Sequence, residues 1–71
     1  MHDPAKVMKF PDLDTLGKRV RQIRKAEGLS QKKLGDLVGC SHVSILNLEK
    51  GTGKINLSTT WRILETLGMV K

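Results

Sequence analysis

Aromatic side chains are nearly absent from the sequence. Phe10 and Trp61 are the only two in 71 residues. Proteins that hold single-stranded nucleic acid stack successive bases on aromatic rings, so a partner of that kind is not expected. One cysteine, Cys40, excludes an internal disulfide and fits a reducing compartment. No apolar run approaches the ~20 residues that cross a bilayer, and the first residues lack the apolar core of a secretory signal. A cytoplasmic protein without membrane contact is expected. Acidic residues are also few, seven Asp and Glu against thirteen Lys and Arg, for a net charge of +6. That excess suggests a polyanionic partner, and the shortage of stacking residues favours duplex nucleic acid. Catalytic sets are missing as well. There is no Ser, His and acid constellation and no carboxylate pair in a plausible cleft. The stretch "GTGK" at residues 51–54 follows a helical pattern rather than a strand and lacks the spacing of a phosphate-binding loop. His2, Cys40 and His42 do not have metal-ligand spacing. No enzymatic activity, metal or cofactor is expected.

What is present reads as one small all-α domain. A chain of this size buries only about 60% of its unfolded surface, so one thin core is the limit. Residues 1–11, "MHDPAKVMKFP", carry both prolines and no helical period, and read as an arm. Within it "KVMKF" has the alternation of a short strand, against which a frayed terminus is the favoured reading, and Phe10 can still pack on the first helix. Residues 12–71 hold four helical patterns. "DLDTLGKRVRQIRKAEG" repeats Leu13, Leu16, Val20 and Ile23 at helical spacing, with Asp12 or Asp14 as the cap and Gly28 at the left-handed stop. Ser30 caps "QKKLGDLV", whose expected buried face is Leu34, Leu37 and Val38. Gly35 there costs about 1 kcal/mol relative to Ala, which makes sense if another helix crosses closely. Gly39 allows a sharp turn, Ser41 caps "HVSILNLEK", and Gly51 ends it. Ser58 is the expected cap of a last helix, with Leu57 just before it, Trp61, Leu64 and Leu67 inward, and Gly68 as the stop.

Two short helices joined through a glycine turn form a helix-turn-helix. Neither is stable alone, because isolated helices below ~12 residues are marginal. With Ile45 and Leu48 directed inward, Val43, Leu46, Asn47 and Lys50 lie roughly opposite, and His42 flanks them near the N-terminal end. A major groove ~12 Å wide admits one such helix, led by its N-terminal residues.

The stretch "GLSQKKLGDLVGCSHVSILNLEKG", residues 28–51, resembles the helix-turn-helix of Cro/C1-type repressors. The shared marks are Leu29-Ser30-Gln31, Leu34, Gly39, Ser44-Ile45, and Leu48-Glu49 followed by Gly51. The continuation "INLSTTWRILETLGM", residues 55–69, resembles antitoxin repressors of HipB type, whose partners are HipA-type kinase toxins. The general resemblance covers residues 13–68 and implies a compact, four-helix, lambda-repressor-like fold. It further implies base reading by His42, Val43 and Asn47, and phosphate contacts from Gln31, Ser41, Ser44, Lys50 and Lys54. Arg24 and Glu49 match a partly buried ion pair. Two features depart from the family. Leu46 stands where a polar outward residue is usual, and suits either a thymine methyl or a protein partner. Many members carry a fifth helix; none is expected after residue 68 here, so the dimer contact is expected from the last helix, from "GMVK" or from the arm.

The resulting expectation is a dimeric repressor of a palindromic double-stranded operator, acting as autoregulator and antitoxin in an operon with a HipA-type kinase toxin or a related toxin-complex protein. The alternatives are a phage-type or restriction-controller regulator without a toxin, and a protein-binding adaptor built on the same fold.

Overall fold

A computed structural model describes residues 12–70 and shows four helices: α1 (Leu13–Ala26), α2 (Gln31–Val38), α3 (His42–Lys50) and α4 (Leu57–Thr66). Residues 1–11, and with them the expectations of an arm, a strand and Phe10 packing, lie outside the described residues. Side-chain caps start every helix. Asp12 Oδ1 accepts from the Thr15 amide at 2.7 Å, Ser30 Oγ from Lys33 at 3.0 Å, and Ser41 Oγ from Ser44 at 3.3 Å. Each satisfies one of the amides that a helix start leaves unpaired. The Thr15 amide holds the Asp12 carboxyl below its usual range, with Lys18 helping. Gly39 and Gly51 close α2 and α3 in the left-handed region, at φ 85° and 68°.

The core is a single cluster of Val20, Leu34, Val38, Ile45, Leu48, Ile63, Leu64 and Leu67, edged by Leu16, Ile23, Leu29, Cys40, Ile55, Met69 and Val70. Cys40 packs at this edge, and burial pushes its thiol up, in keeping with a packing role.

Three expectations are corrected. The last helix is capped by Asn56, whose Oδ1 accepts from the Thr59 amide at 2.7 Å, and not by Ser58. Leu57 is therefore the first helical residue, and it is 77% exposed. Trp61 is half-exposed, because α4 turns Thr59, Ile63, Leu64 and Leu67 to the core and Trp61 lies roughly 130° round the helix from that face. Ile63, fully buried, takes the place assigned to Trp61. Leu37 is exposed as well, since α2 buries the Leu34, Gly35 and Val38 line beside it.

α1 also rolls relative to its expected stripe. Its buried line is Gly17, Val20 and Arg24, while Leu13 is half-exposed. The cause is Gly17. A Cβ there would stand 2.4 Å from the Leu48 carbonyl oxygen and 2.5 Å from that of Glu49. α1 and α3 thus cross backbone against backbone. Gly51 extends the contact, since a Cβ on it would meet the Asp14 Cα at 2.9 Å. Gly35 serves the turn in the same way: its Cβ would lie 2.7 Å from the Cys40 carbonyl oxygen.

Candidate nucleic-acid interface

α3 is fixed from behind and open in front. Ile45, Leu48 and Glu49 are buried, whereas His42, Val43 and Lys50 are exposed. The buried carboxylate is the centre of a network joining three helices. Arg24 Nε donates to Glu49 Oε2 at 2.6 Å and Arg24 Nη2 to Oε1 at 3.0 Å. The remaining guanidinium nitrogen, Nη1, donates to the Leu29 carbonyl at 2.7 Å. Both side chains are almost wholly withdrawn from solvent, at 8% and 4% exposure. The planar fork of an arginine suits such two-point pairing. The expected ion pair is present and ties α1 and the α1–α2 connection to α3.

Gln31, the first residue of α2, joins this network. Its Nε2 donates to Glu49 Oε1 at 3.3 Å, so the side chain is half-buried rather than free at the surface. Leu46 is also half-buried. It lines a cleft of about 300 Å³ with Arg21, Gln31, Glu49 and Lys50. The apolar residue thus shares a cleft with two cationic side chains.

Ser41 and Ser44 face one another at the start of α3, their hydroxyls 3.5 Å apart. Asn47 is placed differently from the sequence expectation. Its side chain folds toward the following loop, where Nδ2 donates to the Lys54 carbonyl at 3.2 Å. Thr52, which sequence reasoning passed over, donates its hydroxyl to the Asn47 carbonyl at 3.3 Å and accepts from the Lys54 amide at 3.1 Å. Its signal was an Asn and a Thr bracketing the glycine that ends a helix, a common setting for side-chain to backbone bonds. Gly17 was passed over too, although the cue that marked Gly35 applies equally to it.

The structure brings together His42, Val43, Ser41 and Ser44 at one end of α3. It sets Asn47, Lys50 and Lys54 at the other, where the loop joins. Among the described residues no group of His, Cys, Asp and Glu could hold a metal ion, and no helix is long and apolar enough to cross a membrane.

Comparison with known proteins gives a consistent family. The helix-turn-helix family model matches residues 20–71. The HTH-type transcriptional regulator PuuR of Escherichia coli (strain K12) is 34% identical over 53 residues, or 75% of this chain, which spans only 29% of PuuR's length. The restriction-modification controller protein C.AhdI from Aeromonas hydrophila is 32% identical, with a TM-score of 0.70 over 80% of this chain and 83% of its own. HipB, solved in a HipA-HipB-O2-O3 complex, matches with a TM-score of 0.76 over 92% of each chain; at 23% identity this is a likeness of fold alone. The chain belongs to the Cro/C1-type helix-turn-helix family of DNA-binding transcriptional regulators, whose members are typically non-enzymatic.

Proposed function

We propose that the chain is a sequence-specific repressor that binds a palindromic double-stranded operator as a homodimer. The observation that carries this reading is the presentation of α3. Its first turn is exposed at His42 and Val43, and its opposite face is locked by Leu48, by the Arg24–Glu49 pair and by the Gly17 crossing. A helix held so firmly from behind can enter a major groove with its N-terminal residues foremost. His42 and Val43 meet base edges, with Leu46 beside them for a thymine methyl. Gln31, Ser41, Ser44, Lys50 and Lys54 meet phosphates, which position the protein without carrying sequence information. The test is a mobility shift on the duplex upstream of the chain's own coding sequence, against a scrambled duplex of equal composition. Preferential binding of the first supports a repressor; equal binding to both means that the chain does not recognise that sequence.

The regulatory setting we propose is an operon with a HipA-type kinase toxin, for which this chain is autoregulator and antitoxin. Support comes from residues 55–69, which resemble the HipB type. A restriction-controller role is the second reading, and the 32% identity to C.AhdI over most of that protein favours it. The two differ in one partner. Stoichiometric co-purification with a HipA-type kinase encoded beside the chain fits the antitoxin. Promoter binding with no such kinase bound fits the controller.

A further inference from the structure

The loop after α3 contains two left-handed glycines, Gly51 at φ 68° and Gly53 at φ 74°. A segment of that composition loses much conformational freedom when it is ordered, so something must hold it. Its first residue is held by α1, because Gly51 lies against the Asp14 backbone. The rest is held by a closed ring of hydrogen bonds that begins and ends at Asn47. The Thr52 hydroxyl donates to the Asn47 carbonyl, the Lys54 amide donates to the Thr52 hydroxyl oxygen, and Asn47 Nδ2 donates to the Lys54 carbonyl. The Thr52 amide adds a further bond to the Asn47 carbonyl at 3.2 Å. The body of Asn47 is half-buried and rests against an apolar groove lined by Leu13, Leu16, Leu48, Ile55 and Leu57. The amide is turned to the loop carbonyl, a different direction from that of a side chain held out toward a base.

We propose that Asn47 is a positioning residue: through its ring with Thr52 it fixes the Gly51–Lys54 loop so that Lys54 meets the phosphate backbone, and it does not read a base. This rests on the DNA-binding reading above and assigns a different role to one residue within it. Asn47 therefore contributes to affinity for every duplex, through Lys54, rather than to the choice among duplexes.

The experiment uses the full chain, a duplex selected by it from a random pool, and a scrambled duplex of the same composition. Affinity is measured against salt for the wild type, Asn47→Ala, Thr52→Val, Lys54→Ala and the Asn47→Ala/Lys54→Ala double variant. Hydrogen exchange at the Lys54 amide is measured on the free proteins. Asn47→Ala is expected to weaken binding to both duplexes by the same factor. Each phosphate contact contributes about 0.9 to the salt slope, so losing one per protomer flattens the slope by about 2 in a dimer. Lys54→Ala should flatten it equally, and the double variant should bind no more weakly than either single one. Thr52→Val, which opens the ring from its other side, should give the same flattening, and both ring variants should speed exchange at Lys54. Loss on the selected duplex alone with an unchanged slope makes Asn47 a base reader and overturns the proposal. So do losses for Asn47→Ala and Lys54→Ala that multiply in the double variant. Absence of binding by the wild type to either duplex defeats the DNA reading itself, which is a separate outcome.

Discussion

Where α1 crosses α3, backbone meets backbone: a Cβ at Gly17 would stand under 3 Å from carbonyl atoms of two residues, and a salt bridge withdrawn from solvent lies two turns further along α1. α4 is seated in another way. It contributes Ile63, Leu64 and Leu67 to the core, yet leaves Leu57 at 77% exposure and Trp61 at 48%. The contrast follows from what each helix must do. α4 closes the core with one face and leaves two large apolar side chains outside it. α1 must hold α3 at one angle and one depth, because an error of an ångström there moves His42 and Val43 relative to anything they touch. Close glycine contact and two-point pairing are the ways to set such an orientation without a large core.

The largest effect is therefore expected at the buried pair. Arg24→Ala leaves the Glu49 carboxylate buried with Gln31 as its remaining side-chain partner, at a cost of roughly 3–5 kcal/mol. A chain this small has roughly 4–10 kcal/mol in total, so thermal unfolding should begin near room temperature and DNA binding should fall with it. An unchanged melting temperature would show that the pair does not hold α3. Gly17→Ala comes next. Overpacking commonly costs about 1–3 kcal/mol, and here the opposing atoms are backbone, so the upper end is expected despite the better helix propensity of Ala. Denaturant titration measures it, and a stabilised variant would mean the two helices separate easily. On the other side of the comparison, Trp61→Ala should cost about 1 kcal/mol, well short of the ~3–5 kcal/mol for a fully buried aromatic. A loss as large as that of Arg24→Ala would mean Trp61 is covered by something, such as a second copy of the chain. The smallest effect concerns pH. The Asp12 carboxyl is held below 3.8 in the folded chain by the Thr15 amide. Its contribution is present above that value and is lost as pH falls through the lowered folded pKa. Asp12→Asn, which keeps a cap, should lose only this part of the acid sensitivity, as read from melting temperatures between about pH 5 and pH 2.

The same contrast governs what the sequence reveals. Caps and stops are local, and Ser30, Ser41, Gly28, Gly39 and Gly51 all stand where their neighbours imply. The inward pair of α3, Ile45 and Leu48, is equally legible because one apolar stripe is available. α4 offers two stripes, one through Trp61 and one through Ile63, and hydrophobicity alone favours the larger ring. Only the neighbouring helices decide for Ile63, with Thr59 turned inward beside it. The cap misassignment has a similar source, since Asn56 and Ser58 are both good caps two residues apart. Arg24 and Glu49 lie 25 residues apart. Nothing in charge spacing pairs them, and the family resemblance supplied what local chemistry could not. The turn of Asn47 toward the loop is illegible for a further reason. Its partner is a loop carbonyl whose position depends on how Gly51 meets α1.

On the proposed function, the first turn of α3 reads bases while the rest of the domain holds it in place. The decisive measurement is the binding of His42→Ala to the selected and the scrambled duplex. The expected result is a loss of about 1–3 kcal/mol per half-site on the selected duplex, with no change on the scrambled one and no change in salt slope. Equal losses on both duplexes, or none on either, would contradict it.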